Sequence, residues 1–467
     1  MYPGRYDVTH LAVDVPDLTD AAPARIAGRV VLHRSFGKLA FAQVQDRSGR
    51  IQVAFALDEL GEQRMAAAGE LTLGTIIGVA GYRWTTRSGE PTIRATSWEV
   101  LAPSLTGFPD KWSGVTDPET LARKRYLQLV LDPVARDRFK ARTKMVQGLR
   151  EFLLQGDFME VETPMLQAAA SGAAAKPFVT HHDALGEDLY LRIAPETYLK
   201  RLVAGGMDRV FEIGKNFRNE GTDPSHLQEF TMLEWYAAYW DFRDNMTFTR
   251  ELVQHAMRAA IGSTTCTYDG LKLDFGGDWP QLDYRAAIAA ETGIDLRATR
   301  DIESLAAAMG EIGVEVPDTE RVSFARLADA LYKRTVRPKL IDPVFLVNHP
   351  TELVPLARRN DEDATRLDMF QVVANGWELA KGYSELVDPE EQRARLEEQA
   401  TMRAAGDDET MMFEEDFIEA MEFGMPPMSG VGVGIDRLVA LLTDARSLRD
   451  VVFFPQVRRV VAGDRST

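Results

Sequence analysis

Residues 211–221 read FEIGKNFRNEG and residues 227–239 read LQEFTMLEWYAAY. The first stretch begins as an apolar strand, sets Arg218 and Glu220 either side of Asn219, and stops at Gly221. The intervening TDPSH is turn-rich, and the second stretch is strand-like again. Strand, loop and returning strand would gather Arg218, Glu220, His226 and Phe230 around one hairpin. Charge at the mouth of an apolar strand is tolerated where water, a ligand or an ion-pair partner satisfies it. Arginine's planar fork suits a phosphate or carboxylate, because it donates two parallel hydrogen bonds. An ordinary surface ion pair is the alternative reading of the Arg-Asn-Glu run taken alone.

Two further stretches carry unusual patterns. In RDRFKARTKMVQGLREFLLQ (136–155), Phe139, Met145, Leu149, Phe152 and Leu153 recur at helical spacing, and Gly156 follows as a stop. FMEVETPML (158–166) then predicts a strand ended by Pro164, which cannot donate to a ladder. Towards the other end, GVGVGIDRLVALL (430–442) passes from a glycine-studded strand into a helix with Ile435, Leu438, Val439 and Leu442 on one stripe.

The N-terminal part has a different texture. From Ala24 to about Val100, short β-rich runs alternate with turn signals at Asp46-Arg47-Ser48-Gly49 and Arg87-Ser88-Gly89. Ile51, Val53 and Phe55 alternate with polar or small neighbours, which turns one strand face inward. Such runs predict a small five-stranded OB-type barrel, a platform for single-stranded nucleic acid. A Pro/Gly/Ser-rich passage follows. The expected domains are residues 1–105 (barrel), 106–124 (linker) and 125–467, the last mixing helices and strands in an α+β arrangement.

The net charge of −17 argues against a polyanionic partner only if the charge is evenly spread. It is not: residues 111–150 hold ten Lys and Arg against four acids. That local excess is compatible with a nucleic-acid surface and equally with a solvated helix face. One cysteine, Cys266, rules out an intramolecular disulfide framework. The start MYPGRYDVTH lacks a signal-peptide pattern, and no apolar run approaches the roughly 20 residues of a membrane span. A cytoplasmic protein without a membrane partner is expected. His181 and His182 are adjacent and cannot share a helical ligand face, so they suggest no zinc site. The acidic stretch 406–424 predicts a solvated helix face ended by Gly424.

Taken together, helix-strand-Pro164, the strand pair and the strand-helix 431–442 resemble the three signature motifs of class II aminoacyl-tRNA synthetases. With the barrel in front, the chain is most similar to their lysine branch from about residue 24 to Arg458. The stretches SGAAAKPFVTHHDALGEDLYLRIAPETYLKRL, FRNEG, EFTMLEWY, PLARRND, YSELVDP and GVGIDRL carry the resemblance. It implies an antiparallel catalytic sheet flanked by helices, a homodimer, and a reaction in which L-lysine is activated with ATP and Mg2+ and passed to tRNA(Lys). A paralogue that activates a lysine analogue or uses another acceptor is the alternative.

The resemblance also implies roles. Arg218 would bridge the substrate carboxylate and the α-phosphate, Phe230 would stack on adenine, and Arg437 would cover its other face. Glu220 and His226 match positions that contact adenine and the triphosphate. Gly172 and Glu196 match the contacts to the α-amino group, Tyr383 matches a lysine-binding position, and Glu234, Tyr236 and Glu385 match the lysine side-chain pocket. Two acids and a phenol suit a long cation. In the barrel, Phe41, Gln52 and Glu90 match positions that stack on and hydrogen-bond to the anticodon. Two residues depart from the pattern. Lys381 stands where an asparagine is common, near the amino acid's carboxylate end. Gln371 stands where a magnesium-binding glutamate is common, leaving Glu378 as the acidic metal ligand, and an amide oxygen is the weaker ligand for a hard cation.

Overall fold

A computed structural model describes residues 5–106, 117–221, 223–299, 301–317, 323–404 and 410–458. Most of the expected linker (107–116), residue 222 of the expected hairpin loop and residues 406–409 of the acidic stretch lie outside these described residues. The chain divides into two compact units, Met1–Thr116 and Asp117–Thr467.

The first unit is a closed barrel of β1 (Pro23–Ser35), β2 (Leu39–Gln45), β3 (Arg50–Ala56), β4 (Ile76–Thr85) and β5 (Pro91–Ala102), in the order β1-β2-β3-β5-β4. Ile51, Val53 and Phe55 point inward, as their alternation predicts, and meet Ala40, Ala42 and Val44 of β2 in the core. Closing five strands over so small an interior bends them sharply. Gly28 and Gly81 make this feasible: a Cβ would stand 2.5 Å from the carbonyl oxygen of Gln45 at the first and 2.1 Å from that of Arg94 at the second. The predicted turn at 46–49 is held by Asp46, whose carboxylate accepts from the backbone N–H of Ser48 (2.7 Å) and Gly49 (3.0 Å).

In the second unit, the helix Pro133–Gln155 begins with Asp132 accepting from the Val134 N–H at 2.9 Å, with Pro133 in the first turn. Phe139, Met145, Leu149 and Leu153 are buried, while Phe152 is half-buried. The predicted strand after it is reduced to β6 (Met159–Glu160) and β7 (Leu166–Gln167). The break has a physical reason: Thr163 turns aside to hydrogen-bond the buried Glu212 carboxylate through its N–H (3.2 Å) and hydroxyl (2.6 Å). β7 joins β8 (Phe178–His182) and β9 (Glu187–Leu191) in a small sheet, and β12 (Thr265–Tyr268) pairs with β13 (Leu271–Asp274).

The main sheet has eight strands. β10 (Arg209–Phe217), β11 (Glu229–Ala238), β14 (Gln281–Asp283), β15 (Val344–Val347), β16 (Met369–Ala374), β17 (Trp377–Ser384) and β18 (Met428–Gly434) join β6 in the order β14-β15-β16-β17-β18-β11-β10-β6. The six central strands are antiparallel as expected, whereas both edge pairs, β14–β15 and β6–β10, are parallel. The stretches 211–221 and 227–239 contribute to β10 and β11, with Glu212 opposite Glu234 and Asn216 opposite Phe230.

One face of the sheet is covered by the helices Pro133–Gln155, Phe242–Ile261 and Ile435–Leu442. The last follows β18 without a break, and it is buried beyond its predicted stripe: Ala440, Leu441 and Asp436 are also inaccessible. A buried hydrogen-bond chain ties this layer to the strands. Trp235 Nε1 donates to Asn245 (2.8 Å), Asn245 donates to Ser429 (2.8 Å), and Ser429 donates to the Tyr383 carbonyl (2.7 Å). In the acidic stretch, the helix Glu415–Glu422 turns Glu415, Asp416 and Glu419 outward but buries Phe417, Ile418 and Met421. Glu414 is the exception to the solvated-face expectation, being buried against Ser171 and Arg201.

Candidate active site

The open face of the sheet holds a cleft of about 300 Å³ floored by β11, β17 and β18. Glycine creates it. At Gly430 a Cβ would stand 2.2 Å from the Tyr236 ring and 2.8 Å from a carboxylate oxygen of Glu385; at Gly432 it would stand 2.8 Å from the Met232 methyl. The glycine-studded strand is therefore the part of the sheet over which large side chains cross.

One end of the cleft is cationic and aromatic. Arg218 sits just past β10, its N–H bonded to the Gln228 carbonyl at 2.9 Å, and its guanidinium lies 5.0 Å from the centre of the Phe230 ring. Among the described residues no carboxylate makes an ion pair with it, and its Nε is buried without a partner. Arg437 reaches in from the first turn of the helix Ile435–Leu442. It donates to the backbone carbonyl of Glu378 at 3.1 Å and lies 3.4 Å from His226 Nε2. The other nitrogen of His226 meets Asp223 at 2.7 Å. Hydrogen bonds from Ser225 and His226 outweigh partial burial and hold the Asp223 carboxyl down at about 2. Glu220 is exposed at the rim.

Sequence reasoning missed the anchor of this end. Asp436, almost fully buried, accepts from the Thr231 N–H (2.8 Å) and from Arg142 (2.6 Å), which also donates to the Thr231 hydroxyl (3.0 Å). Asp436 stands beside Arg437 in the quoted GIDRL, so an acid in an otherwise apolar helix start was the available signal.

The other end is acidic. Glu234 and Glu196 line it with Tyr236, Tyr383 and Gly172. The Tyr236 hydroxyl donates to Glu234 at 3.3 Å and the Tyr383 hydroxyl to Glu196 at 2.6 Å. Gly172 has φ +82°, and a Cβ there would press within 3.1 Å of the Glu196 side chain. Burial, reinforced by the charge of Glu196, pushes the Glu234 carboxyl up to about 8 despite Tyr236, Arg192 and Arg218. This end is thus short of a cation.

Two of the expected residues lie one layer behind the wall. Glu385 is inaccessible beneath Gly430 and forms an ion pair with Lys200 at 2.5 Å. Lys200 also holds Glu196 at 2.6 Å, with the rings of Tyr236, Tyr383 and Phe417 around it at 5.7–6.0 Å. Burial alone would strip its proton, but the two carboxylates more than offset that and raise its affinity for it. The Glu385 carboxyl is pushed well up by burial in spite of Lys200. A lysine four residues after Glu196 on a helix was the signal for this pair. Gln371, the other residue outside the cleft's lining, is half-buried beside His349.

Glu378 and Lys381 line the cleft on β17. Burial would raise the Glu378 carboxyl, but Lys381, then Arg437, Lys333 and Arg337, hold it below the usual range. Among the described residues no group of three or more His, Cys, Asp or Glu side chains is arranged to hold a metal ion. His181 lies on an exposed hairpin with its Nδ1 2.8 Å from Asp188.

In the barrel unit, Phe41 and Gln52 lie on the outer face of the sheet, and Glu90 lies at its edge. The Gln43 amide links to Glu90 at 3.4 Å and the Gln52 amide donates to the Thr92 hydroxyl at 3.0 Å. The register sets Gln43, Gln52, Thr92 and Trp84 in one row and Phe41, Ala54, Arg94 and Tyr82 in the next. Arg94 lies 5.6 Å from the Trp84 ring centre. Trp84 and Arg94, which sequence reasoning passed over, extend this polar and aromatic face.

Comparison with known proteins matches residues 117–458 to the family described as tRNA synthetases class II (D, K and N), and residues 24–101 to the OB-fold nucleic acid binding domain. Three relatives, each named lysine-tRNA ligase, are similar over nearly the whole chain. The protein of Pelotomaculum thermopropionicum is 42% identical over 98% of this chain and 91% of its own length. That of Carboxydothermus hydrogenoformans is 43% identical over 98% and 94%, and that of Variovorax paradoxus 44% identical over 96% and 87%.

Proposed function

The chain belongs to the class II tRNA synthetases of the D, K and N group, and on that premise we propose that it activates L-lysine with ATP and transfers it to tRNA(Lys). One observation carries the substrate assignment. A single cleft presents Arg218, which makes no ion pair among the described residues, beside Phe230 at one end and the buried pair Glu234 and Glu196, with two phenols, at the other.

The chemistry follows from charge. Lysine's ammonium goes to Glu234 and Tyr236, its α-amino group to Glu196 beside Gly172, and its carboxylate to Arg218. Tyr383 orients Glu196, and Glu385 works through Lys200 from behind the wall. The adenine ring enters between Phe230 and Arg437, a sandwich of aromatic face and cation. Glu220 and His226 border the adenine and triphosphate. A carboxylate oxygen of lysine then attacks the α-phosphorus in line, pyrophosphate leaves, and lysyl-adenylate remains. In the second step a terminal ribose hydroxyl of the tRNA attacks the acyl carbon and AMP leaves. No side chain acts as nucleophile, so the rate rests on positioning and on neutralising phosphate charge.

One carboxylate together with substrate phosphates is a sufficient donor set for a hydrated magnesium ion, and Glu378 fits that part. Magnesium bound there would neutralise phosphate charge. Phe41, Gln52 and Glu90, with Trp84 beside them, form the face that takes the anticodon. The exposed apolar residues Leu154, at the end of the helix Pro133–Gln155, and Met159, Met165 and Leu166, which follow it, support a homodimer.

Pyrophosphate exchange with a panel of lysine, ornithine, aspartate and asparagine tests the proposal. Exchange with lysine well above the others, followed by charging of transcribed tRNA(Lys) but not of aspartate or asparagine tRNA, is expected. Exchange with none of them would sink it.

A further inference from the structure

The corner of the cleft around Glu378 carries more fixed positive charge than a divalent-ion site can use. Lys381 lines the cleft, and among the described residues no carboxylate makes an ion pair with its ammonium. In the β16–β17 register it stands directly opposite Gln371, so the two side chains leave the sheet on the same face. Val373, the next residue of β16 on that face, pairs with Glu378 across a bulge. Gln371 thus presents a neutral amide where a second acid would complete a two-carboxylate set with Glu378, and the position facing it holds a cation.

Two neighbours register where the ammonium sits. Glu378 feels Lys381 more than any other cation. His349, fully buried behind Gln371, is pushed down to about 3 by burial and then by Lys381, so its ring is neutral. The only carboxylate facing this corner from the two strands is therefore Glu378, and Lys381 and Arg437 already attend it. Adding a second dication would set it against Lys381 with no extra anion to share. Two paired side chains in effect exchange an anion and a dication site for an amide and an ammonium.

We infer that Lys381 is a fixed cation for the triphosphate of ATP, supplying with a side-chain ammonium the charge that a further divalent ion bridged to position 371 would supply. The inference rests on the ATP reading above and deepens it. It makes Lys381 a phosphate-binding residue rather than a contact to the amino acid's carboxylate, and it limits the ions held with ATP to those that Glu378 and the phosphates can retain.

The test uses the full chain, Lys381→Asn, and the double variant Gln371→Glu/Lys381→Asn, each first shown by thermal melting to be folded. ATP binding is measured by calorimetry in excess EDTA and again in saturating Mg2+, and Mn2+ bound per ATP-loaded site is counted by electron paramagnetic resonance. The native chain should bind ATP in EDTA, and K381N should lose roughly ten- to a hundredfold there, the span of one charge-assisted contact, with a smaller loss in Mg2+. The double variant should hold at least one more Mn2+ than the native chain. Equal ATP affinity of native and K381N in EDTA, a loss confined to the KM for lysine, or an equal Mn2+ count in native and double variant would each overturn the inference while leaving the ATP reading intact. Absence of ATP binding by the native chain even in Mg2+ would overturn both.

Discussion

The outer face of the barrel and the cleft of the catalytic unit both present polar groups for a ligand, but they do so at opposite energetic extremes. On the barrel, Gln43 and Gln52 are half-buried, Glu90 is exposed, and their hydrogen-bond partners lie within about fifty residues of sequence. In the cleft and the layer behind its wall, Glu196, Lys200, Glu234 and Glu385 are buried, with Lys200 holding Glu196 and Glu385. Exposed groups act one at a time, since water screens them. Buried charges act as a set, because removing one member leaves another without compensation. The contrast predicts additive, modest effects on the barrel and large, coupled effects in the cleft.

The most severe test of that contrast is Lys200→Met. It strands Glu196 and Glu385, and unfolding by denaturant should show a loss of about 3–5 kcal/mol. A loss below about 1 kcal/mol, as for an exposed pair, would remove the distinction. Next comes Arg218→Ala, which should slow lysine-dependent pyrophosphate exchange by about a hundred- to a thousandfold, the scale of losing one preorganised charge contact. Because Arg218 makes no ion pair among the described residues, the melting temperature should hardly move.

The third test is pH. Burial pushes the Glu234 carboxyl up to about 8, well above its ordinary 4.5. An incoming ammonium requires the carboxylate, so binding lysine expels the carboxyl proton. Affinity should therefore rise as pH climbs towards about 8, by at most about tenfold per unit, and level off above it. Calorimetry in buffers of different ionisation heat would detect the released proton, and Glu234→Gln should abolish both the release and the slope.

Smaller effects belong to the barrel. Phe41→Ala and Trp84→Ala should each weaken tRNA binding by about 1–3 kcal/mol, and the double variant by roughly the sum, with pyrophosphate exchange unchanged. Glu90→Gln should cost no more than about 1 kcal/mol. Strong non-additivity between Phe41 and Trp84 would show that the barrel face behaves as the cleft does.

How much of this was legible follows the same division. The barrel was readable because alternation in Ile51-Val53-Phe55 and the Asp46 turn are local facts. The helix Pro133–Gln155 and the run from β18 into Ile435–Leu442 were readable from period and glycine placement. The unbroken strand expected from Phe158 up to Pro164 was not, because Thr163 is diverted by Glu212, a residue 49 positions away. Nor could parallel pairing at the two sheet edges be read from apolar runs, which look the same in either direction. Among site residues, Arg218, Phe230, Glu234 and Arg437 line one cleft as anticipated, whereas Asp436 was passed over because its partners Thr231 and Arg142 lie far away in the sequence, and Lys200 because Glu385 does, although Glu196 four residues before it was a local signal.

Sequence alone determined the kinds of chemistry present: an arginine beside an aromatic ring, carboxylates suited to an ammonium, glycines where side chains must cross, and a β-rich unit ahead of an α+β one. Only the tertiary structure decided which charges share a dielectric. It put Lys200 between Glu196 and Glu385, set Lys381 opposite Gln371, and left Arg218 without an ion pair among the described residues. Composition counts charges, but their worth depends on burial and on neighbours a few ångströms away, and those are brought together by strand pairing across hundreds of residues.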